Sequence, residues 1–203
     1  MLTLDHIAVL GETLEEAAAH TEAALGQSML PGGKHGHFAT HNRLLGLADG
    51  LYIEAIAIDP AAPPPPHPRW FGLDGFRGAA RLDKWICRTA DMYATLAALP
   101  MAGRPVKLAR DSLRWTMAVP EDGQLPFDGL FPAIIQWHSP VPPGNALANP
   151  ALQLERLTVS HPQAEELKAL LAPHLDAPNV AYRTGGPGLE ASVHTPQGLR
   201  QLR

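Results

Sequence analysis

Apolar residues fall along this chain in short blocks, and the blocks switch between the alternating period of a strand and the longer period of a helix. Leu2 to Leu10 alternates, with His6 on the face of Leu4 and Ala8 and with Ile7 and Val9 on the other. Thr13 then opens a helix as N-cap, with Glu16 three positions on completing a capping box. Leu14, Ala17, Ala18, Thr21 and Leu25 give that helix a buried stripe, and Gly26 ends it. Strands follow over Ser28 to Gly36 and Phe38 to Ala48, then a turn at Ala48-Asp49-Gly50, then Leu51 to Ile58. The predicted order is βαβββ. The last strand is apolar at nearly every position, as expected of one covered on both faces, and Glu54 interrupts it. A carboxylate buried there needs a partner: a metal ion, a base, hydrogen-bond donors or water in a cavity.

Asp59 to Pro68 is a polyproline segment too stiff and donor-poor for a sheet, and after it the pattern restarts. Leu82-Asp83-Lys84-Trp85-Ile86-Cys87 can be laid on Leu4-Asp5-His6-Ile7-Ala8-Val9. Asp91 caps a helix through Leu99, Pro105 to Ala109 reads as a strand, and Leu113 to Ala118 echoes Asn42 to Leu47. Phe131 to His138 closes the unit, with Gln136 where Glu54 stood. A second proline-rich break leads to a third start: a strand at Leu154 to Val159, a helix at Pro162 to Leu175, and strands at Val180 to Arg183 and Leu189 to His194. The expected organisation is a first βαβββ module over 1–59, a linker over 60–81, a second module over 82–138, a linker over 139–150, and a partial third βαββ unit over 151–203 packed on the same domain. Such self-similarity says more about the fold than any single motif.

Composition removes several classes of function. At 203 residues with 45% apolar and 18% charged residues, the chain can bury a substantial core. A net charge of −4 leaves no electrostatic footprint for nucleic acid. No run approaches a membrane span, and Asp5 in the first apolar block argues against a signal peptide. Cys87, the single cysteine, reads as a buried inert thiol, and its solitude fits a cytoplasmic location. The partner expected is a small-molecule ligand, with no nucleic acid and no membrane; a homodimer is compatible with these features.

Two readings of the polar positions stay open. His6 and Glu54, with His41 as third donor or His138 in its place, make a two-histidine, one-carboxylate set for a single divalent ion such as Mn, Ni, Fe or Zn. Alternatively, His6 bonds to Glu54 or to a carbonyl as polar core. His41 and Asn42 are read as lining a pocket, with Trp115, Gln136 and His138 contributing from the second module. His35 and His37 are read as solvated. Arg43 and Arg114, at equivalent positions, either hold an anion or sit exposed.

The paired modules, with Leu4-Asp5-His6-Ile7-Ala8-Val9, Thr40-His41-Asn42-Arg43-Leu44 and Tyr52-Ile53-Glu54, resemble the glyoxalase-like domain proteins of the vicinal-oxygen-chelate (VOC) superfamily. Glyoxalase I, extradiol dioxygenases and bleomycin-resistance proteins share that superfamily. The resemblance implies an α+β fold in which two modules form an incomplete barrel around a cavity. It also implies metal ligands on the first and last strands of each module. His6 and Glu54 match that pattern and would be the catalytic pair, whereas Lys84 and Gln136 depart from it. The implied function is therefore either metal-free binding of a small molecule, which the missing ligands favour, or a divalent-metal-dependent lyase, isomerase or dioxygenase, which Glu54 favours.

Overall fold

A computed structural model describes residues 1–203 and has an eight-stranded and a four-stranded sheet. The first module runs β1 (Thr3–Leu10), α1 (Leu14–Leu25), β2 (Leu30–His35), β3 (Thr40–Gly46) and β4 (Tyr52–Ile58). The second runs β5 (Arg81–Arg88), α2 (Met92–Ala98), β6 (Arg104–Arg110), β7 (Leu113–Val119) and β8 (Ala133–Trp137). They share one sheet in the order β2-β3-β4-β1-β5-β8-β7-β6. In each module the first strand pairs parallel with the last, and β1 and β5 join the halves antiparallel. The sheet curls, so that its edge strands β2 and β6 approach each other and leave a half-closed barrel.

Local chemistry accounts for the helices. The Thr13 hydroxyl accepts from the Glu16 amide at 3.2 Å, and the Glu16 carboxylate accepts from the Thr13 amide at 3.1 Å. Leu14, Ala17, Ala18, Thr21 and Leu25 are the buried face of α1, and the small Ala17, Ala18 and Thr21 at its middle let the helix lie close against β4. Asp91 caps α2 through the Ala94 amide.

The β1–β5 seam carries two irregularities, and each skips an aspartate. Leu4 pairs with Cys87 and His6 with Ile86, leaving Asp5 as an extra residue; Ala8 pairs with Lys84 and Val9 with Leu82, leaving Asp83. A bulge of this kind bends the strand and re-aims the side chains beside it. Asp5 therefore reaches His6, its neighbour in sequence, instead of facing away from it.

The linker segment 60–81 is only half linker. Trp70–Gly75 forms a 3₁₀ turn whose Trp70, Phe71 and Leu73 are buried, because these large apolar side chains plug the open end of the half-barrel. After a short helix α3 (Pro143–Ala146), the third unit runs β9 (Gln153–His161), α4 (Ala164–Leu171), β10 (Val180–Thr184), β11 (Gly188–Thr195) and β12 (Gly198–Leu202). A fourth strand, β12, thus exists where the sequence gives no convincing signal, since four of its five residues are exposed. The strand order here, β10-β9-β11-β12, also differs from that of the modules, with β9 between its neighbours. This sheet packs against α1 through β12 and against β5 through β11, on the side away from the barrel's hollow. No helix is long and apolar enough to cross a membrane.

Candidate functional site

The hollow of the half-barrel holds a narrow cleft with about 30 Å³ of interior space, open to solvent at its mouth. Its two walls differ in kind. Strands β1 to β4 supply His6, His35, Asn42 and Glu54, whereas β7 and β8 supply Trp115, Met117, Ile135 and Trp137. Trp70 and Phe71 cover one end.

The polar wall is two hydrogen-bonded groups joined by an ion pair between His6 and Glu54. His6 Nδ1 donates to Asp5 Oδ1 at 2.7 Å, and its Nε2 stands 3.6 Å from Glu54 Oε2. The other Glu54 oxygen accepts from Asn42 Nδ2 at 2.5 Å. Asn42 Oδ1 in turn accepts from the Gly33 amide at 2.8 Å and from Arg110 at 3.2 Å, which fixes the orientation of the amide. Arg110 also donates to His35 Nε2 at 3.1 Å; an arginine cannot accept, so the His35 proton lies on Nδ1, 3.0 Å from Thr40 Oγ1. Asp5, beneath this wall, also accepts from Trp137 Nε1 at 3.1 Å and so ties the two walls together.

The two histidines are driven in opposite directions. Burial alone would push His6 down, but its contacts with Asp5 and Glu54 outweigh that and raise it to about 9. His35 is lowered to about 4, first by burial and then by the charge of Arg110, against the opposing pull of Glu54. Burial would raise Glu54, yet its bond to His6, the charges of His6 and His35 and the Asn42 amide hold it below the usual carboxylate range. At neutral pH the wall therefore holds a cationic His6, an anionic Glu54 and a neutral His35. Tyr52, stacked on His6 with ring centroids 4.3 Å apart, is raised by burial and by the charges of Asp5 and Glu54.

The predicted residues separate cleanly by strand parity. His6, Glu54, Asn42 and Trp115 lie in the cavity wall. His41 does not, because it neighbours Asn42 on β3 and so faces the other side of the sheet. Gln136 likewise sits between Ile135 and Trp137 on β8 and faces away from the hollow. There it accepts from the Met92 amide at 3.0 Å and donates to the Ala90 carbonyl at 2.8 Å, anchoring the start of α2. His138, 2.8 Å from Thr116 Oγ1, is outside the cavity too. His35, read as solvated, is in fact buried in the polar wall. Of the arginines, Arg114 is exposed and bonds local carbonyls, and the one at the cavity is Arg110, which pattern alone did not single out. Cys87 is buried and burial pushes its thiol up, in keeping with an inert role.

The family model described as a glyoxalase-like domain matches residues 4–175. The chain belongs to the glyoxalase-like domain family. No curated protein matches it in sequence. A hypothetical protein from Staphylococcus aureus has a similar fold, with a TM-score of 0.67 and 13% identity over 100% of this chain and 99% of that one. Methylmalonyl-CoA epimerase from Mycobacterium tuberculosis aligns with a TM-score of 0.44 and 18% identity, covering 68% of this chain and 88% of that one. A methylmalonyl-CoA epimerase from Streptomyces coelicolor, in complex with 2-nitronate-propionyl-CoA, gives 0.44 and 16%, covering 69% and 96%.

The VOC superfamily implies a divalent ion, and this glyoxalase-like domain offers a poor set of donors for one. Only His6 and Glu54 face each other across the cavity wall, and His41, the third candidate, lies on the opposite face. His35 Nε2 is occupied by Arg110, a cation that repels a metal from the same wall. The second module presents indole, thioether and alkyl groups where further ligands would stand. No three His, Cys, Asp or Glu side chains are grouped to hold a metal ion. Two donors fall short of the three or four protein ligands of a resident catalytic metal site.

Proposed function

We propose that this glyoxalase-like domain binds a small molecule in the hollow between its modules without a metal ion. The observation that carries the reading is the division of one cavity into an aromatic wall and a polar, hydrogen-bonded wall. An apolar surface with a few convergent polar groups is the usual make-up of a small-molecule site. Indole rings at 115 and 137, with centroids 5.7 Å apart and tilted by 45°, offer flat contact to a ring or a branched chain. The network of His6, Asn42 and Glu54 orients the polar end, and the apolar wall excludes water from it.

A second reading adds chemistry to binding. The Glu54 carboxylate faces the cavity beside a charged His6, an arrangement suited to moving a proton on a bound molecule. In that reading Glu54→Gln abolishes turnover and leaves binding in place.

The tryptophans provide the test. Trp70, Trp115 and Trp137 line the cavity, whereas Trp85 is buried outside it with its N–H on the Leu130 carbonyl. In a screen of small aromatic and aliphatic fragments followed by indole N–H resonances, binders are expected to shift the three cavity signals and spare Trp85. A screen in which no fragment moves the three, or in which all four move together, contradicts the reading.

A further inference from the structure

We propose that Arg110 is the anion receptor of the cavity, and that the molecule it holds is an organic monocarboxylate with an aromatic or compact apolar body. The inference rests on the binding reading above and names the ligand class for it.

Arg110 ends β6, one of the two edge strands of the half-barrel, and lies across the gap to the other module. Both of its bonds to protein use one terminal nitrogen, and both acceptors are neutral: His35 Nε2 and Asn42 Oδ1. No carboxylate lies within ion-pair distance of it. Arg69, Arg81, Arg88, Arg104 and Arg203 each have one; among the arginines without one, Arg110 is the one that lines the cavity. The edge of the guanidinium formed by Nε and the second terminal nitrogen makes no bond to the protein. Two parallel N–H groups in that fork match the two oxygens of a carboxylate.

The fold makes room for this arginine. A Cβ at Gly33 on β2 would come within 2.7 Å of Arg110 Cδ, so the glycine lets the side chain lie close over that strand, and a larger residue would make it shift. A solvated edge arginine has no need of such a berth. The other charges of the wall are already matched, since His6 stands between Glu54 and Asp5 and Asp5 also has Arg88 3.7 Å away, two cations for two carboxylates. The unmatched charge at the cavity is therefore positive. Opposite it stand Trp115, Met117 and Trp137, which exclude a strongly hydrated body and suit a single ring or a short branched chain.

The experiment compares acids with their own amides, which share shape and lack the charge. Benzoate, phenylacetate and indole-3-acetate, each against the corresponding amide, are titrated into the unmodified protein and followed by tryptophan fluorescence or calorimetry. At least one acid is expected to bind about tenfold more tightly than its amide, the size of a charge-assisted bond. Arg110→Gln is expected to erase the preference, so that each acid and its amide bind alike. Equal affinities for every acid and amide in the unmodified protein would overturn the ligand class while leaving cavity binding intact. So would binding of uncharged fragments with no binding of any acid. A preference for the acid that survives in Arg110→Gln would overturn the assignment to Arg110. Failure of acids, amides and neutral fragments alike would take down the proposal together with the reading beneath it.

Discussion

The two modules of the half-barrel begin with the same device and use it differently. A constant offset carries Thr3–Leu10 onto Arg81–Arg88 and the helix cap Thr13 onto Asp91. Within those strands Asp5-His6 falls on Asp83-Lys84, and each aspartate is skipped by the strand pairing and bonds the cation next to it. In the second module that pair is sealed. Lys84 is buried, has only Asp83 as its partner, and is closed over by the loop at Gly129, where an added Cβ would meet its ammonium at 2.9 Å. In the first module the cation is an imidazole whose far nitrogen remains open to the cavity and to Glu54. One bulged strand thus yields a structural ion pair in one half and a chemically available one in the other, and what stands above the pair makes the difference.

Removing the aspartates breaks this comparison most sharply. Asp5→Ala and Asp83→Ala each strand a buried cation and should each cost about 3–5 kcal/mol in chemical denaturation. Only Asp5→Ala should also weaken ligand binding. An equal loss of binding in Asp83→Ala would show that the second pair is not merely structural.

The next effect is in the pH profile of stability. His6 is raised from 6.5 to about 9, so the folded protein holds its proton more tightly; that stabilisation is complete below pH 6.5 and is lost as pH rises through 9. His35 is lowered from 6.5 to about 4, so its contribution is complete above pH 6.5 and is lost as pH falls through 4. Each limb is worth roughly 3 kcal/mol, and together they place the maximum near the value they share. His6→Gln should flatten the alkaline limb and His35→Gln the acid one, as read by unfolding midpoints across pH. An alkaline limb unchanged in His6→Gln would contradict the charge assigned to the polar wall.

Much of this arrangement is legible in the sequence. The alternation around His6, the apolar strand broken by Glu54 and the restart at Leu82 give the paired modules and, with Asn42 read as pocket lining, three residues of the polar wall. What is not legible is non-local or depends on a single-residue step. Laying the second module on the first points to Gln136, and with it His138, as cavity residues, but a slip of one residue on a strand exchanges its faces, and Ile135 and Trp137 are the residues that point inward. The bulge at Asp5 leaves no mark on the apolar pattern. Arg110 and His35 meet only because the sheet curls until its edges approach, a closure that neither strand announces. Trp70 and Phe71 follow a proline run and carry no strand period of their own.

The smallest expected effect concerns two amides, Gln136 and Asn42, on opposite faces of the sheet. Gln136→Ala should cost about 1 kcal/mol through the lost anchoring of α2 and leave ligand binding untouched. Asn42→Ala strips bonds from Glu54, Gly33 and Arg110, so it should cost about 1–3 kcal/mol and weaken binding as well. Denaturation midpoints and a ligand titration on both variants separate the two.

The central claim is that the cavity works without a metal ion, and a titration before and after chelation tests it most directly. Protein purified without a histidine tag is titrated with a cavity-binding fragment, then again after exhaustive EDTA treatment, then again with added Mn²⁺, Ni²⁺ or Zn²⁺. The account predicts the same affinity in all three states, and no rise in thermal stability with the ions, because an ion held only by the folded state would stabilise it. Binding that disappears with EDTA and returns with one divalent ion would contradict the account and restore a metal centre at His6 and Glu54.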